Sequence, residues 1–278
     1  MGKSDSVPYR DRPSSCGEER IWGPRVTSIL IAAAVAVVTF ASGLLGLYLQ
    51  KRLPKTHLSG GSKDMILAVI GLLTLLLALV LGTLVGNTYA FFAMQKSELE
   101  TMASRALLVD QALTEFGSEA KPARNLMKEA LTQSYDLFWR GADADPAQLK
   151  VEVALKRWAS IASAVGALDA KTPAQTDALG AAKANLALME QTRLLMSLQL
   201  SSPVAWSLVT SVIFWSMFLF CGFGILSGTN PTTIVALAFG AISVASAMFL
   251  ILDLTQPYSG LFRVPPSAIQ QTLEAIDK

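Results

Sequence analysis

A stripe of polar and aromatic residues lies in one of the most apolar parts of this sequence. Its members, spaced by four, four and three residues, are Thr83, Asn87, Phe91 and Met94. On a helix this spacing places the side chains on one face. In a ring of such helices, Thr83 and Asn87 would replace part of an ion's hydration shell, and Phe91 would form an apolar constriction. The stripe therefore predicts pore-lining residues.

Helix packing is a second interpretation of the same stretch. Gly82 and Gly86 form a pair of small residues four positions apart, which lets two helix backbones approach closely. Asn87 would then form hydrogen bonds between helices rather than contact ions. Both interpretations stay open at this point.

A second group of candidate residues follows the last apolar stretch. Asp253 comes before Pro257 and Gly260, which are typical of a turn, and before Arg263. An acid at the boundary of a membrane is usually paired or capping, and Arg263 is an available partner. The structural interpretation makes Asp253 an anchor for the turn, whereas the functional one makes it a cation or gating site.

Catalytic and metal chemistry have little support in the sequence. Histidine occurs once, at His57, so there is no histidine triad and no histidine metal cluster. Cys16 and Cys221 are too few and too differently placed for a disulfide framework or a metal knuckle. Neither a glycine-rich phosphate loop nor a G-x-S-x-G motif occurs. We therefore expect no enzymatic activity, no cofactor and no metal site.

Long charge-free stretches must position the candidate residues. With 52% hydrophobic and 16% charged residues, the 278-residue chain is too apolar for an ordinary soluble domain. Since a helix needs about 20 residues to cross a bilayer core, one span fits Val26–Gln50, one fits Met65–Gln95, and two fit between Arg193 and Asp253. We predict an all-α integral membrane protein with transmembrane helices at 26–50, 65–95, 203–227 and 231–253.

A polar insert separates the second and third spans. No proline interrupts Met65–Phe116, so the second span should continue beyond the membrane as one rod with a heptad seam. Three amphipathic segments follow, with Asp145 and Thr172 as candidate N-caps and Pro203 as a kink at the membrane surface. We predict a soluble helical bundle at 96–202, inserted between spans two and three, whose seams are more typical of a core than of a ligand cavity.

The remaining segments suggest an orientation. A disordered polar tail (1–25), the insert and a C-terminal tail (254–278) should share one side, and the basic hairpin (51–64) and the turn between spans three and four should share the other. Basic residues are denser in the first hairpin, which favours a cytoplasmic hairpin and an extracytoplasmic bundle. A net charge of +2 without a basic patch argues against nucleic acid as a partner and leaves the lipid bilayer as the main one.

From about Val26 onward the chain resembles the bestrophin-like membrane proteins grouped by domain of unknown function 4239. The resemblance rests on Lys51-Arg52-Leu53-Pro54, on the charged continuation of span two from Gln95 to Glu100, on the four-span layout and on the closing segment from Asp253 to Val264. The family's closing pattern reads Leu-Asp-x-Pro-Phe-Ser-Gly. In this chain two further residues separate the aspartate from the proline, and Tyr258 replaces the phenylalanine.

The resemblance implies a function as well as a fold. Bestrophins are anion channels that assemble as rings with the second span lining the pore. It therefore implies a ring-like homo-oligomer such as a pentamer, conducting small inorganic ions in a bacterial inner membrane. Bestrophins keep their soluble part in the cytosol, opposite to the charge-based orientation. The rival hypothesis is a membrane receptor or scaffold whose helical bundle binds a ligand or a partner protein.

Overall fold

The computed structural model describes residues 24–54, 60–140, 151–201 and 206–276. These residues form helices and connecting turns, without a strand. The helices are α1 (Pro24–Arg52), α2 (Gly61–Phe116), α3 (Lys121–Tyr135), α4 (Val151–Gly166), α5 (Pro173–Ser201), α6 (Trp206–Leu226), α7 (Pro231–Leu254) and α8 (Ser267–Ile276). Four of them, α1, α2, α6 and α7, are long and apolar enough to cross a membrane. The predicted fold class, an all-α integral membrane protein with four spans, is confirmed.

Some predictions lie outside the described residues. They concern the polar tail before Pro24, His57 in the first hairpin, the N-cap at Asp145 and the kink at Pro203. The other candidate N-cap, Thr172, is described, and its hydroxyl oxygen accepts the backbone N–H of Gln175 at 3.2 Å. This prediction is confirmed.

Helix α2 is one unbroken rod of 56 residues, which corresponds to a length of about 84 Å. It ends where Gly117 adopts a φ of 115°, a conformation that favours glycine. The prediction that span two continues to Phe116 without a break is therefore confirmed.

Helix α1 packs against both α6 and α7, which scarcely touch each other. At its closest approach to α6, a Cβ at Gly46 would collide with the carbonyl oxygen of Cys221, and a Cβ at Gly224 with that of Gly43. Only residues without side chains allow this separation. The small residues Gly43 and Gly46 of span one thus serve close helix packing.

The outer part of α2 forms a bundle with α3, α4, α5 and α8. The buried core includes the apolar residues that define the predicted seams, among them Ala106, Val109, Leu113, Phe116, Val165, Ala182 and Met189. Helix α8, which the sequence analysis treated only as part of a tail, packs against α2 and α3 and places Ile276 in this core. The C-terminal segment is therefore part of the bundle.

Helices α5 and α6 run antiparallel to α2 in one continuous register. Gln175 donates a hydrogen bond to the carbonyl of Phe116, Gln95 donates one to Gln199, and Gly222 lies against Ile70. Residue numbers therefore fall along α5 and α6 as they rise along α2. By this register Asn87 lies level with Trp206, the first residue of α6.

Candidate functional site

Most of the predicted stripe is uncovered in the single chain. Thr83, Asn87 and Met94 are exposed, whereas Phe91 is half-buried beside Leu84, which lies two turns earlier on the same side of α2 and is buried. The Thr83 hydroxyl donates to the carbonyl of Val80 at 2.9 Å, within its own helix, and the Met94 sulfur accepts a hydrogen bond from the Gln199 amide of α5 at 3.8 Å. The open surface is therefore centred on Thr83 and Asn87.

This openness distinguishes α2 from the other spans. In its most apolar stretch 11% of the residues are buried by the rest of the chain, against 28% to 33% in α1, α6 and α7. All four helices have lipid or a further protein surface to contact, but α2 has the largest uncovered share. It is therefore the span with most surface available to another copy.

The two glycines beside the stripe are equally uncovered. A Cβ added at Gly82 or Gly86 would have no atom within 4 Å. Neither glycine serves helix packing within this chain, so packing here would require a second molecule. The Asn87 amide likewise makes no hydrogen bond to any described residue.

The register of α2 against α6 places the stripe near the bundle side of the membrane. Asn87 is level with Trp206, which is exposed and of a type enriched at bilayer interfaces. Relative to Asn87, Thr83 lies about 6 Å deeper in the membrane and Phe91 about 6 Å closer to the bundle, at 1.5 Å per residue. The stripe would therefore form the bundle-side mouth of a pathway rather than its midpoint.

A polar cluster that the sequence analysis did not identify lies directly above the stripe. The fully buried Gln95 amide donates to Gln199 at 2.6 Å, and the Gln199 amide donates to Glu98 at 3.1 Å. The Tyr258 hydroxyl donates to the Gln95 carbonyl oxygen at 3.4 Å. In the sequence, this cluster is indicated by two glutamines, Gln95 and Gln199, that lie in charge-free apolar stretches, because buried polar side chains usually have hydrogen-bond partners.

Tyr258 connects this cluster to the C-terminal segment. Burial, and then the negative charge of Glu98, raise the pKa of the Tyr258 phenol above its ordinary value of 10.0. Its ring packs against Phe138 at 4.8 Å and Trp139 at 6.2 Å, and the Trp139 indole N–H donates to the carbonyl of Val264 at 2.9 Å. The C-terminal segment therefore contacts both α2 and the residues that follow α3.

Asp253 organises the turn after α7. Its carboxylate, which is 2% exposed, accepts the backbone N–H of Leu261 and of Phe262, each at 2.8 Å. Gly260 lies so close that a Cβ there would be 2.8 Å from the carboxylate. The N–H of Val264 donates to the carbonyl of Pro257 at 2.9 Å, and the Arg263 side chain donates to the carbonyl of Gly260 at 3.2 Å. This geometry is that of a turn anchor.

Charged side chains begin just beyond the stripe, where Lys96 pairs with Glu100 at 3.8 Å. Within the part of the chain that the structure describes, no three histidine, cysteine or acidic residues come together as metal ligands would. The stripe itself offers hydroxyl, amide and aromatic groups.

The family comparison covers most of the described chain. A bestrophin-like domain model matches residues 36–269, which run from within α1 to the first residues of α8 and contain α2 to α7 and the Asp253 turn. Curated proteins and solved structures give no match. Because the matched range takes in well over half of the 278 residues, the chain belongs to the bestrophin-like family.

Proposed function

We propose that this protein is a homo-oligomeric pore for small inorganic ions, with α2 of each copy lining the pathway. The observation that carries the proposal is the uncovered face of α2, which bears Thr83 and Asn87 and has the half-buried Phe91 at its edge. A ring-like assembly, for example a pentamer, would enclose this face. Membership in the bestrophin-like family supports the same reading.

An uncovered asparagine within a membrane span favours assembly. At the bilayer boundary, level with Trp206, acyl chains would deprive the Asn87 amide of part of its hydrogen bonds with water, and the loss of all of them would cost about 1–3 kcal/mol in proteins. A water-filled axis or a neighbouring copy would restore them. Asn87 therefore favours the association of several chains through α2, whereas Leu79 on the same helix does not.

The stripe also suggests which ions pass. It carries no fixed charge, so selectivity would depend on the donors that line it. The amide N–H groups of Asn87 would favour anions, and Phe91, one turn further out, would form the narrowest apolar ring. We propose an anion-conducting pore with the bundle on the extracytoplasmic side as a vestibule.

Reconstitution of the full chain in a planar bilayer under a chloride gradient tests the pore. We expect a conductance that rises in Phe91→Ala, since a smaller side chain widens the constriction, and a chloride preference that falls in Asn87→Ala. Phe239→Ala, at an exposed position of α7, is the matched control and should leave both unchanged. Absence of conductance, or identical behaviour of all variants, would refute the proposal.

A glycine substitution tests the ring separately. A Cβ at Gly86 has no described atom within 4 Å, so a monomer with leucine there should fold normally, but the larger side chain would obstruct a helix of a second copy. We expect Gly86→Leu to shift the assembly toward monomers in mass photometry of detergent-solubilised protein. Gly71→Leu, equally open but away from the stripe, should retain the wild-type mass.

A receptor or scaffold is the second candidate, because of a shallow groove on the bundle between α2 and α5. Its lining is polar and includes Ser97, Ser104, Arg105 and Asn185. One Arg105 nitrogen donates to the carbonyl of Leu188 at 2.7 Å and to the Thr192 hydroxyl at 2.6 Å. A monomer or dimer that co-purifies with a protein bound at this groove would favour the receptor over the pore.

A further inference from the structure

Two large apolar side chains project side by side from the turn after α7. Leu261 is 71% exposed and Phe262 is 48% exposed, whereas Gly260 before them and Val264 shortly after them are buried. Exposure of two adjacent large apolar residues in a fixed turn is unfavourable in water, at roughly 25 cal/mol per Å² of apolar surface. Such a pair indicates a surface that something else covers.

The turn holds these side chains outward rather than allowing them to fold back. The Asp253 carboxylate accepts the backbone N–H of both residues, and the Gly260 backbone lies against the same carboxylate. Their N–H donors are therefore satisfied inside the protein. A loop with satisfied donors can enter a medium of low water content, in which an unpaired N–H would be costly.

The position of the turn along the membrane normal identifies the covering medium. The Gln256 amide donates to the Ser28 hydroxyl at 3.5 Å, which places the turn beside the start of the apolar part of α1. Gly240 of α7 lies against Phe220 of α6, so Asp253, thirteen residues later, is level with the beginning of α6 near Trp206. Both contacts place the turn at the bundle-side boundary of the bilayer.

We propose that Leu261 and Phe262 form an anchor that inserts into the lipid interface on the bundle side. The partner is the bilayer itself: acyl chains cover the two side chains, and Arg263 adds positive charge at the level of the lipid phosphates. This anchor does not depend on whether α2 lines a pore.

Site-directed spin labelling of the full chain in liposomes tests the anchor. Single cysteines replace Leu261 and Phe262 in a background with Cys16→Ser and Cys221→Ser, and each is labelled with a nitroxide. Collision with oxygen, which concentrates in lipid, is compared with collision with a water-soluble nickel chelate. Phe239→Cys, exposed on α7, is the lipid reference, and Lys183→Cys, exposed on α5, is the water reference.

The expected result is an oxygen-to-nickel ratio at both sites several-fold above that of the Lys183 label and approaching that of the Phe239 label. A ratio equal to that of the Lys183 label would place the pair in water and overturn the anchor. Low accessibility to both reagents would show that a protein surface covers the pair, such as a second copy, and would overturn it as well. Two neighbouring labelling sites guard against one variant that fails to fold.

Discussion

Replacement of Asp253 by alanine should destabilise the protein through one defined local contact. The carboxylate accepts two backbone N–H groups at 2.8 Å each and is almost completely buried. Alanine removes both acceptors and leaves the donors of Leu261 and Phe262 without an internal partner. The turn would then lose its attachment to the end of α7.

The magnitude follows from the two hydrogen bonds. A hydrogen bond to a charged group contributes about 1.5–3 kcal/mol, and water entering the vacated space would recover part of the sum. We expect a loss of about 3 kcal/mol in the free energy of unfolding. For a chain of this size that corresponds to a decrease in Tm of roughly 6–12 °C.

Thermal unfolding of the purified protein in detergent measures the effect. Asp253→Asn is the matched control, because its amide oxygen still accepts one N–H while its NH₂ group faces the other, so its Tm should lie between those of the wild type and Asp253→Ala. Gly260→Ala should also lower the Tm, since the new Cβ would press on the carboxylate. If Asp253→Ala has the same Tm as the wild type but an altered ion conductance, Asp253 does not anchor the turn, and a gating or cation site is favoured instead.

Three further variants test other contacts. Gly46→Leu should force α1 away from the Cys221 carbonyl. We expect the free energy of unfolding to fall by about 3 kcal/mol, as for a severe overpacking, and the Tm in detergent to fall with it. Arg124→Met should cost about 2 kcal/mol of unfolding free energy, because the guanidinium binds the buried Asp110 carboxylate through two hydrogen bonds of 2.7 and 2.8 Å. A double-mutant cycle with Asp110→Asn should show coupling between the two residues, and additive losses would exclude it. Because the folded-state pKa of Tyr258 is raised, its contribution to stability is complete below pH 10.0 and falls as the pH rises above that value. Tm should therefore decline above pH 10.0 in the wild type and decline less in Tyr258→Phe, and parallel curves would contradict the burial of the phenol.

Features with a local or periodic cause could be predicted from the sequence. The unbroken α2 follows from the absence of proline between Met65 and Phe116, and its end follows from Gly117. The bundle core follows from the three-four spacing of apolar residues. Helix α8 escaped prediction although Pro266 precedes an apolar series at Ile269, Leu273 and Ile276, because a helix of three turns gives little periodic signal.

Contacts between distant segments could not be predicted. Arg263 was the expected partner of Asp253, yet the carboxylate oxygens accept backbone N–H groups of Leu261 and Phe262, which any residue type would offer. The pairing of Gln95 with Gln199 depends on the register of two helices, which residue types alone do not fix. The stripe was found because its signal is local, but what covers it depends on other molecules.

The position of α1 between α6 and α7 has a consequence for how the protein is made. Synthesis of its two packing partners begins more than 150 residues after α1 has been synthesised, as the sequence order requires. Until then its glycine face, with Gly43 and Gly46, is open to lipid or to an insertion factor. The orientation of α1 is therefore established before it meets its partners, and a chain truncated after α5 should insert but remain without its tightest helix contact.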